Sequence, residues 1–200
     1  MVLQDVSRET RERLQIYEAL TKKWTKRINL IAPSTVPELW ERHIVDSAQL
    51  YEFIPHCVES LVDFGSGAGF PAMVLGILAS EQRPEFTVTC IESDSRKAVF
   101  LRTVAREVGA NVRVLNDRVE AIEPLEADLV TARAFAALPS LLDASERHRK
   151  PEGVSLFPKG KSYEKELAAA QKMWDFDFKA HASQTEPGTF ILEVGAFARV

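Results

Sequence analysis

The decapeptide DFGSGAGFPA, from Asp63 to Ala72, places glycines at three alternate positions between two apolar segments. The preceding SLV predicts a buried strand, and the following MVLGILA predicts a helix. A glycine turn at such a junction lets a ligand approach the backbone and the helix N-terminus. Dinucleotide-binding folds use Gly-x-Gly-x-x-Gly, whereas here the third glycine, Gly69, comes one residue early. The spacing excludes the dinucleotide pattern and predicts a loop for another ligand.

Length and composition predict one globular domain that spans residues 1–200. Of the 200 residues, 46% are apolar and 27% are charged, which is enough for one sizeable core. We expect a helical N-terminal extension, residues 1–55, attached to a core of residues 56–200. The apolar runs are shorter than a membrane span, and the N-terminus is charged where a signal peptide is apolar. We therefore expect a cytoplasmic protein that contacts no membrane.

The two cysteines, Cys57 and Cys90, lie among apolar neighbours and have no metal-ligand spacing. We expect both to be buried thiols and expect no bound metal. The net charge of −4 argues against a generic nucleic-acid coat, although local basic groups remain. Each group is either a solvated helix face or a binding surface. They comprise Lys22, Lys23, Lys26 and Arg27, and further along the chain Arg96, Lys97, Arg102 and Arg106.

Two helical patterns occupy the first 55 residues. Apolar residues recur at helical spacing from Ser7 to about Trp24, and ELWERHIVDSAQLYEFI forms the second pattern after a segment with two prolines. In the second helix, Arg42 and Asp46 are four residues apart and can pair along the helix. His43 either packs the extension onto the sheet or contacts substrate.

Beyond residue 55, short apolar runs alternate with helical periods, which is typical of a parallel sheet with right-handed crossovers. The C-terminal runs DFDFKAHAS and GTFILEVGAFARV have no helix between them and predict an antiparallel pair. We expect an α/β fold with a mainly parallel seven-stranded sheet. The preceding strands are predicted at LVDF, FTVTCIE, NVRVL, ADLVTARA and GVSLFPKG.

The glycine loop resembles the acid-x-Gly-x-Gly-x-Gly loop of S-adenosylmethionine-dependent methyltransferases, with Asp63 as the acid. Glu92 ends the second strand, 27 residues after Gly65, where a ribose diol needs a charged acceptor. A nicotinamide enzyme would place an acid there too. Asp117, Val119 and Glu120 follow the third strand beside the expected adenine site, or they belong to a charged turn.

Positions after the fourth and fifth strands select the reaction. The sequence has neither an Asn/Asp-Pro-Pro-aromatic turn, typical of amino-group methylation, nor a Cys placed for pyrimidine C5 methylation. Arg133, Lys159 and Lys161 are predicted at the edge where a substrate enters. Cationic donors there suit a phosphate or the carbonyl edge of guanine. A structural ion-pair role is the alternative for Arg133.

Along almost its whole length the chain resembles the guanine-N7 methyltransferases of small-subunit ribosomal RNA, the glucose-inhibited division protein B family. The order and spacing of the motifs carry this resemblance. The matching stretches are NLIA (29–32), RHIVDS (42–47), DFGSGAGFP (63–71), RVE (118–120), ARAFA (132–136) and FPKGK (157–161). The chain departs from the family at Ala72, where most members have Gly, and at Glu92, where Asp is more frequent.

The resemblance implies a single-domain, class I Rossmann-like methyltransferase that uses S-adenosylmethionine to methylate N7 of a guanine in the 530 loop of 16S rRNA. The implied partner is 16S rRNA or the small ribosomal subunit, and we expect a monomer. The implied cofactor contacts are Gly65, Phe70, Glu92, Val119, Glu120 and Arg133. We assign catalysis to Arg133 and Lys159, as residues that orient the target guanine or its phosphate. A small-molecule methyltransferase and a non-catalytic RNA-binding module are the rival functions.

Overall fold

The computed structural model describes residues 2–200. The N-terminal extension contains helix α1 (Arg8–Trp24), which Ser7 caps by accepting a hydrogen bond from the Thr10 backbone N–H (3.1 Å). The second predicted helix is a composite of three helical geometries. A π-helical turn (Trp40–Val45) leads into α2 (Asp46–Ala48), and a 3₁₀ turn (Gln49–Phe53) ends the segment.

The remainder alternates strands and helices as predicted. Gly109 ends the fourth helix in the left-handed conformation (φ 64°). The elements are β1 (Ser60–Phe64), α3 (Ala72–Gln82), β2 (Thr87–Ile91), α4 (Ser95–Val108), β3 (Val112–Leu115), β4 (Ala127–Thr131), α5 (Leu138–His148), β5 (Arg149–Lys159), α6 (Tyr163–Ala170), β6 (Trp174–Ala182) and β7 (Phe190–Arg199).

The strands form one seven-stranded sheet in the order β3-β2-β1-β4-β5-β7-β6. The first five strands in this order are parallel, and β7 runs antiparallel to both of its neighbours. The chain reverses its direction of winding between β1 and β4, where parallel α/β sheets open a crevice beyond the carboxyl ends of their strands. The predicted sheet, including its antiparallel C-terminal pair, is confirmed.

Helices cover both faces of the sheet. On one face, α1 of the extension packs against α3 and α4, and Tyr17, Leu39 and Phe100 belong to the same buried apolar cluster. On the other face, α5 and α6 pack together over a second cluster that includes Phe64 and Trp174. The extension is therefore part of the helical layer, and burial of its apolar side chains stabilises the sheet from that side.

The predicted burial of the two cysteines is confirmed for one of them. Cys90 is buried as predicted, but the prediction for Cys57 is wrong, because it lies in the exposed turn before β1. Trp24 and Trp40 pack against the apolar cluster of the extension, each partly exposed. Among residues 2–200, no helix is both long and apolar enough to cross a bilayer.

Glycine at position 69 is required by both conformation and space. We expect Gly69→Ala to lower the free energy of unfolding by about 1–3 kcal/mol more than Gly109→Ala does. A Cβ at Gly69 (φ 93°) would lie 2.9 Å from a Leu101 methyl and 2.9 Å from the Tyr17 hydroxyl, whereas one at Gly109 meets nothing within 4 Å. Gly109→Ala isolates the left-handed backbone penalty, roughly 1 kcal/mol. Urea unfolding of both variants measures the difference, and equal losses would contradict the steric argument.

Candidate functional site

A cleft of about 610 Å³ opens at the carboxyl edge of the sheet, over β1, β4 and β5. A smaller cleft of about 170 Å³ lies beyond β2 and β3, and Gly65 borders both. The larger cleft combines the glycine loop with Arg133 and Lys159. The smaller cleft is bordered by Val119, Glu120 and the partly exposed ring of Phe135. Residues predicted from distant parts of the sequence therefore meet along one edge.

The glycine loop joins β1 to α3 with all three glycines at positive φ. Asp63, at the base of the loop, is fully buried, and its Oδ1 accepts a hydrogen bond from the Thr131 hydroxyl (2.7 Å). Burial raises the pKa of this carboxyl to about 7. Its Oδ2 has no hydrogen-bond partner among residues 2–200. An unpartnered buried polar atom at the base of the glycine loop is unusual in a folded protein and makes Asp63 a candidate ligand contact.

Glu92 directly follows β2 and is almost completely buried. Its two carboxylate oxygens accept backbone hydrogen bonds, one from Gly67 of the glycine loop (2.8 Å) and one from Asp94 (2.7 Å). The carboxylate thus fixes the loop relative to the end of β2. Because each carboxylate oxygen has two lone pairs, each retains capacity for a hydroxyl donor.

The ring of Phe70 lies beneath two residues of the larger cleft. The His43 ring stacks on it (centroids 5.0 Å apart), and the Arg133 guanidinium lies 5.2 Å from its centroid. Arg133 Nη2 donates to His43 Nδ1 (2.9 Å). Since arginine only donates, Nδ1 accepts and the ring proton resides on Nε2, which donates to the Thr35 hydroxyl (3.1 Å). Burial, and then the charge of Arg133, lower the pKa of His43 to about 4, so the ring is neutral near pH 7.

Asp46 binds the other side of the Arg133 guanidinium (3.2 Å). It also accepts hydrogen bonds from the Thr185 hydroxyl (2.6 Å) and the Gln49 amide (2.8 Å). The predicted Arg42–Asp46 pair is wrong: Arg42 lies near Glu38 and Glu186 instead. A π-helical turn changes the side-chain alignment on which an i,i+4 pairing depends. Sequence reasoning missed Asp46 as part of the site.

Lys159 lies at the end of β5 with only 8% of its side chain exposed. Its ammonium donates to Glu166 of α6 (2.7 Å) and to the carbonyl of Ala136 (3.3 Å). Glu166 also borders the larger cleft, although its sequence context indicates only a helix surface. Lys161 is exposed beside Gly188 and does not border the cleft. Of the two predicted lysines, the structure therefore brings Lys159 to the glycine loop's cleft.

The smaller cleft contains the other predicted cofactor residues. Val119 is buried and its carbonyl faces His148 Nε2 (3.0 Å), while Glu120 is exposed and lies 3.5 Å from Arg118. Phe135, which the sequence analysis did not single out, lies against Gly65 so closely that a Cβ there would be 2.2 Å from its ring. Gly65 is thus required for the aromatic wall of this cleft.

Solved structures share this architecture at low sequence identity. A SAM dependent methyltransferase from Aquifex aeolicus has a TM-score of 0.61 at 15% identity, covering 88% of this chain and 97% of that one. An O-methyltransferase from Bacillus cereus in complex with SAH has a TM-score of 0.59 at 12% identity, covering 97% of this chain and 93% of that one. These likenesses confirm the Rossmann-like methyltransferase fold.

Sequence comparison identifies the family. Ribosomal RNA small subunit methyltransferase G of Ruegeria pomeroyi is 46% identical over 196 residues, which cover 98% of this chain and 96% of that protein. The protein of the same name from Rhodospirillum centenum is 48% identical over 193 residues, which cover 96% and 87%. The family model described as rRNA small subunit methyltransferase G matches residues 10–188. The chain belongs to this family, GidB, as its sequence motifs implied.

Proposed function

We propose that this protein transfers a methyl group from S-adenosylmethionine to N7 of a guanine in the 530 loop of 16S rRNA, in the cytoplasm. One observation carries the proposal: Arg133 and Lys159 border the same cleft as the glycine loop. Cationic donors beside a methyl-donor loop suit a guanine, whose O6 accepts hydrogen bonds. The names of the family and its relatives support an rRNA substrate.

The residues present fit the cofactor. The unpartnered Oδ2 of Asp63 lies beneath the loop, and the acceptor capacity left on Glu92 suits a ribose diol. Val119, Glu120 and Phe135 form a partly apolar cleft that suits an adenine. We assign Gly65, Phe70, Glu92, Val119, Glu120 and Arg133 to cofactor binding. When bound, S-adenosylmethionine supplies the electrophilic methyl group.

The residues of the larger cleft orient the substrate and need not remove a proton from it. Guanine N7 has a free lone pair at neutral pH, so the protein needs no general base. The contacts of His43 agree with a mechanism without a general base, because both ring nitrogens already form hydrogen bonds, one with Arg133 and one with Thr35. Arg133 and Lys159 are held by carboxylates, which fixes their donors before substrate arrives. In well-oriented reactions, positioning of this kind lowers the activation free energy by roughly 7–11 kcal/mol.

The basic turn at the C-terminus of α1, which comprises Lys23 in the last helical turn and Lys26 and Arg27 just beyond it, supports an RNA partner. Its three side chains are exposed and form no ion pair within residues 2–200. Trp24 packs on Phe100 of α4 (centroids 5.6 Å apart), which sets the turn beside that helix. Residues 30 and 31, which follow the turn, border the larger cleft together with Lys97 of α4. This turn therefore leads directly to the cleft and is well placed to contact phosphates.

Direct methyl transfer tests the proposed function. We expect labelled S-adenosylmethionine to methylate small ribosomal subunits from a strain without this modification, and the product to be 7-methylguanosine on digestion. Naked 16S rRNA and the assembled subunit are assayed side by side to decide which is the substrate. Transfer to another base, or to neither RNA, would contradict the proposal. Cofactor binding without transfer to RNA would favour a small-molecule methyltransferase, and RNA binding without cofactor binding would favour a non-catalytic module.

Lys159→Ala is expected to reduce methyl transfer at least tenfold while the calorimetric Kd for S-adenosylmethionine changes less than threefold, because this lysine orients the substrate. Lys172→Ala, an exposed lysine after α6, is the matched control and should leave both values unchanged. An unchanged transfer rate in Lys159→Ala would remove that residue from the catalytic set.

Replacement of Lys26 and Arg27 by Ala is expected to weaken rRNA binding and to reduce the slope of log K against log salt by about 1–2. Binding of S-adenosylmethionine should stay the same. The control is a double variant in which Arg113 and Lys172 are replaced by Ala. It removes the same amount of positive charge from two exposed positions away from the cleft. Equal salt slopes for both double variants would show that the basic turn does not contact RNA.

A further inference from the structure

The Lys159 ammonium is a fixed donor at the wall of the larger cleft. Two of its three N–H groups are directed to Glu166 Oε2 and to the Ala136 carbonyl. One N–H remains for a ligand. Because the side chain is only 8% exposed and anchored at two points, little conformational entropy is lost when this donor binds.

Glu166 is a fixed acceptor beside that donor. Its Oε2 accepts hydrogen bonds from Lys159 and from the backbone N–H of Leu138 (3.0 Å), the first residue of α5. The helix N-terminus and the ammonium both favour the negative charge. Its Oε1 makes no hydrogen bond within the described chain, and 27% of the side chain is exposed. The cleft wall therefore presents one free N–H donor next to one free carboxylate oxygen.

This donor and acceptor match one edge of guanine and mismatch adenine. Guanine presents O6, an acceptor, next to N1–H, a donor. Adenine presents an amino donor and an unprotonated N1 at the same two positions, so both contacts would be lost and both groups of the wall would be left unpaired. Sites that hydrogen-bond a substrate reject analogues that leave buried polar groups without partners.

We propose that Lys159 and Glu166 form the base-selecting subsite, in which Lys159 donates to O6 and Glu166 Oε1 accepts from N1–H of the target guanine. This inference rests on the proposed function and adds a residue to it. N7 neighbours O6 on the opposite side from N1. The subsite therefore holds the base without covering the nitrogen that is methylated.

The subsite predicts which purines are accepted. Small subunits are reconstituted with 16S rRNA ligated from fragments that carry guanine, inosine or 2-aminopurine at the target position. Inosine keeps O6 and N1–H and should be methylated within about threefold of guanine. 2-Aminopurine lacks both groups and should be methylated about 10- to 100-fold more slowly. The methylated nucleosides are identified by mass.

Glu166→Gln and Glu166→Asp separate base selection from structural support. The Gln variant can direct an amide donor at the unprotonated N1, so the ratio of guanine to 2-aminopurine transfer should fall toward one. Comparison of this ratio between proteins removes the intrinsic difference in N7 reactivity. Glu166→Asp keeps the acceptor and should retain the preference for guanine. Glu164→Gln, an exposed neighbour on α6, is the control and should leave the ratio as in the unmodified protein.

A wild-type ratio preserved in Glu166→Gln, with transfer to all bases lowered equally, would overturn the inference and leave Glu166 as a support for Lys159 and α5. Inosine rejected as strongly as 2-aminopurine would also overturn it, because recognition would then depend on the 2-amino group. Failure of the unmodified protein to methylate guanine contradicts the proposed function itself. The two failures are therefore distinguishable.

Discussion

Contact between the N-terminal extension and the glycine loop is the interaction on which the site depends. The Tyr17 hydroxyl donates to the Ala68 carbonyl of the loop (2.5 Å), and its ring packs against Phe70 (5.1 Å between centroids). Burial raises the pKa of Tyr17, so this hydroxyl keeps its proton and remains a donor. His43, also from the extension, stacks on the same Phe70 ring (5.0 Å between centroids). A loop of glycines has little rigidity of its own, and the extension supplies it.

Each of the two buried cations near this contact has a carboxylate partner. Arg133 is paired with Asp46, and Lys159 is paired with Glu166. A charge left without a partner in such a place would cost several kcal/mol, roughly 3–5 when fully buried. The neutral His43 lies directly against Arg133, where a second cation would repel the guanidinium. Cationic groups can therefore line the larger cleft without destabilising the fold.

The fold was largely predictable because its signals are local. Glycine spacing, strand-helix alternation and the final pair of strands each follow from a few neighbouring residues. The candidate site was predictable where a residue ends a strand, as Glu92 and Lys159 do. Asp46 could not be found this way, since its partner Arg133 lies 87 residues away. Glu166 is only 7 residues from its partner Lys159, but no fixed spacing relates the end of a strand to a residue in the following helix. The assumed Arg42–Asp46 pair failed because helical spacing alone does not reveal a π-helical turn.

The wall of the larger cleft joins the first quarter of the chain to its last strands. Gln49 accepts a hydrogen bond from the Gln184 backbone N–H (2.9 Å), and Asp46 accepts one from Thr185, at the loop between β6 and β7. A chain still emerging from a ribosome has the glycine loop and the extension long before it has this loop. The larger cleft is therefore among the last features to form, so a nascent or C-terminally shortened chain has the glycine loop but an incomplete cleft wall.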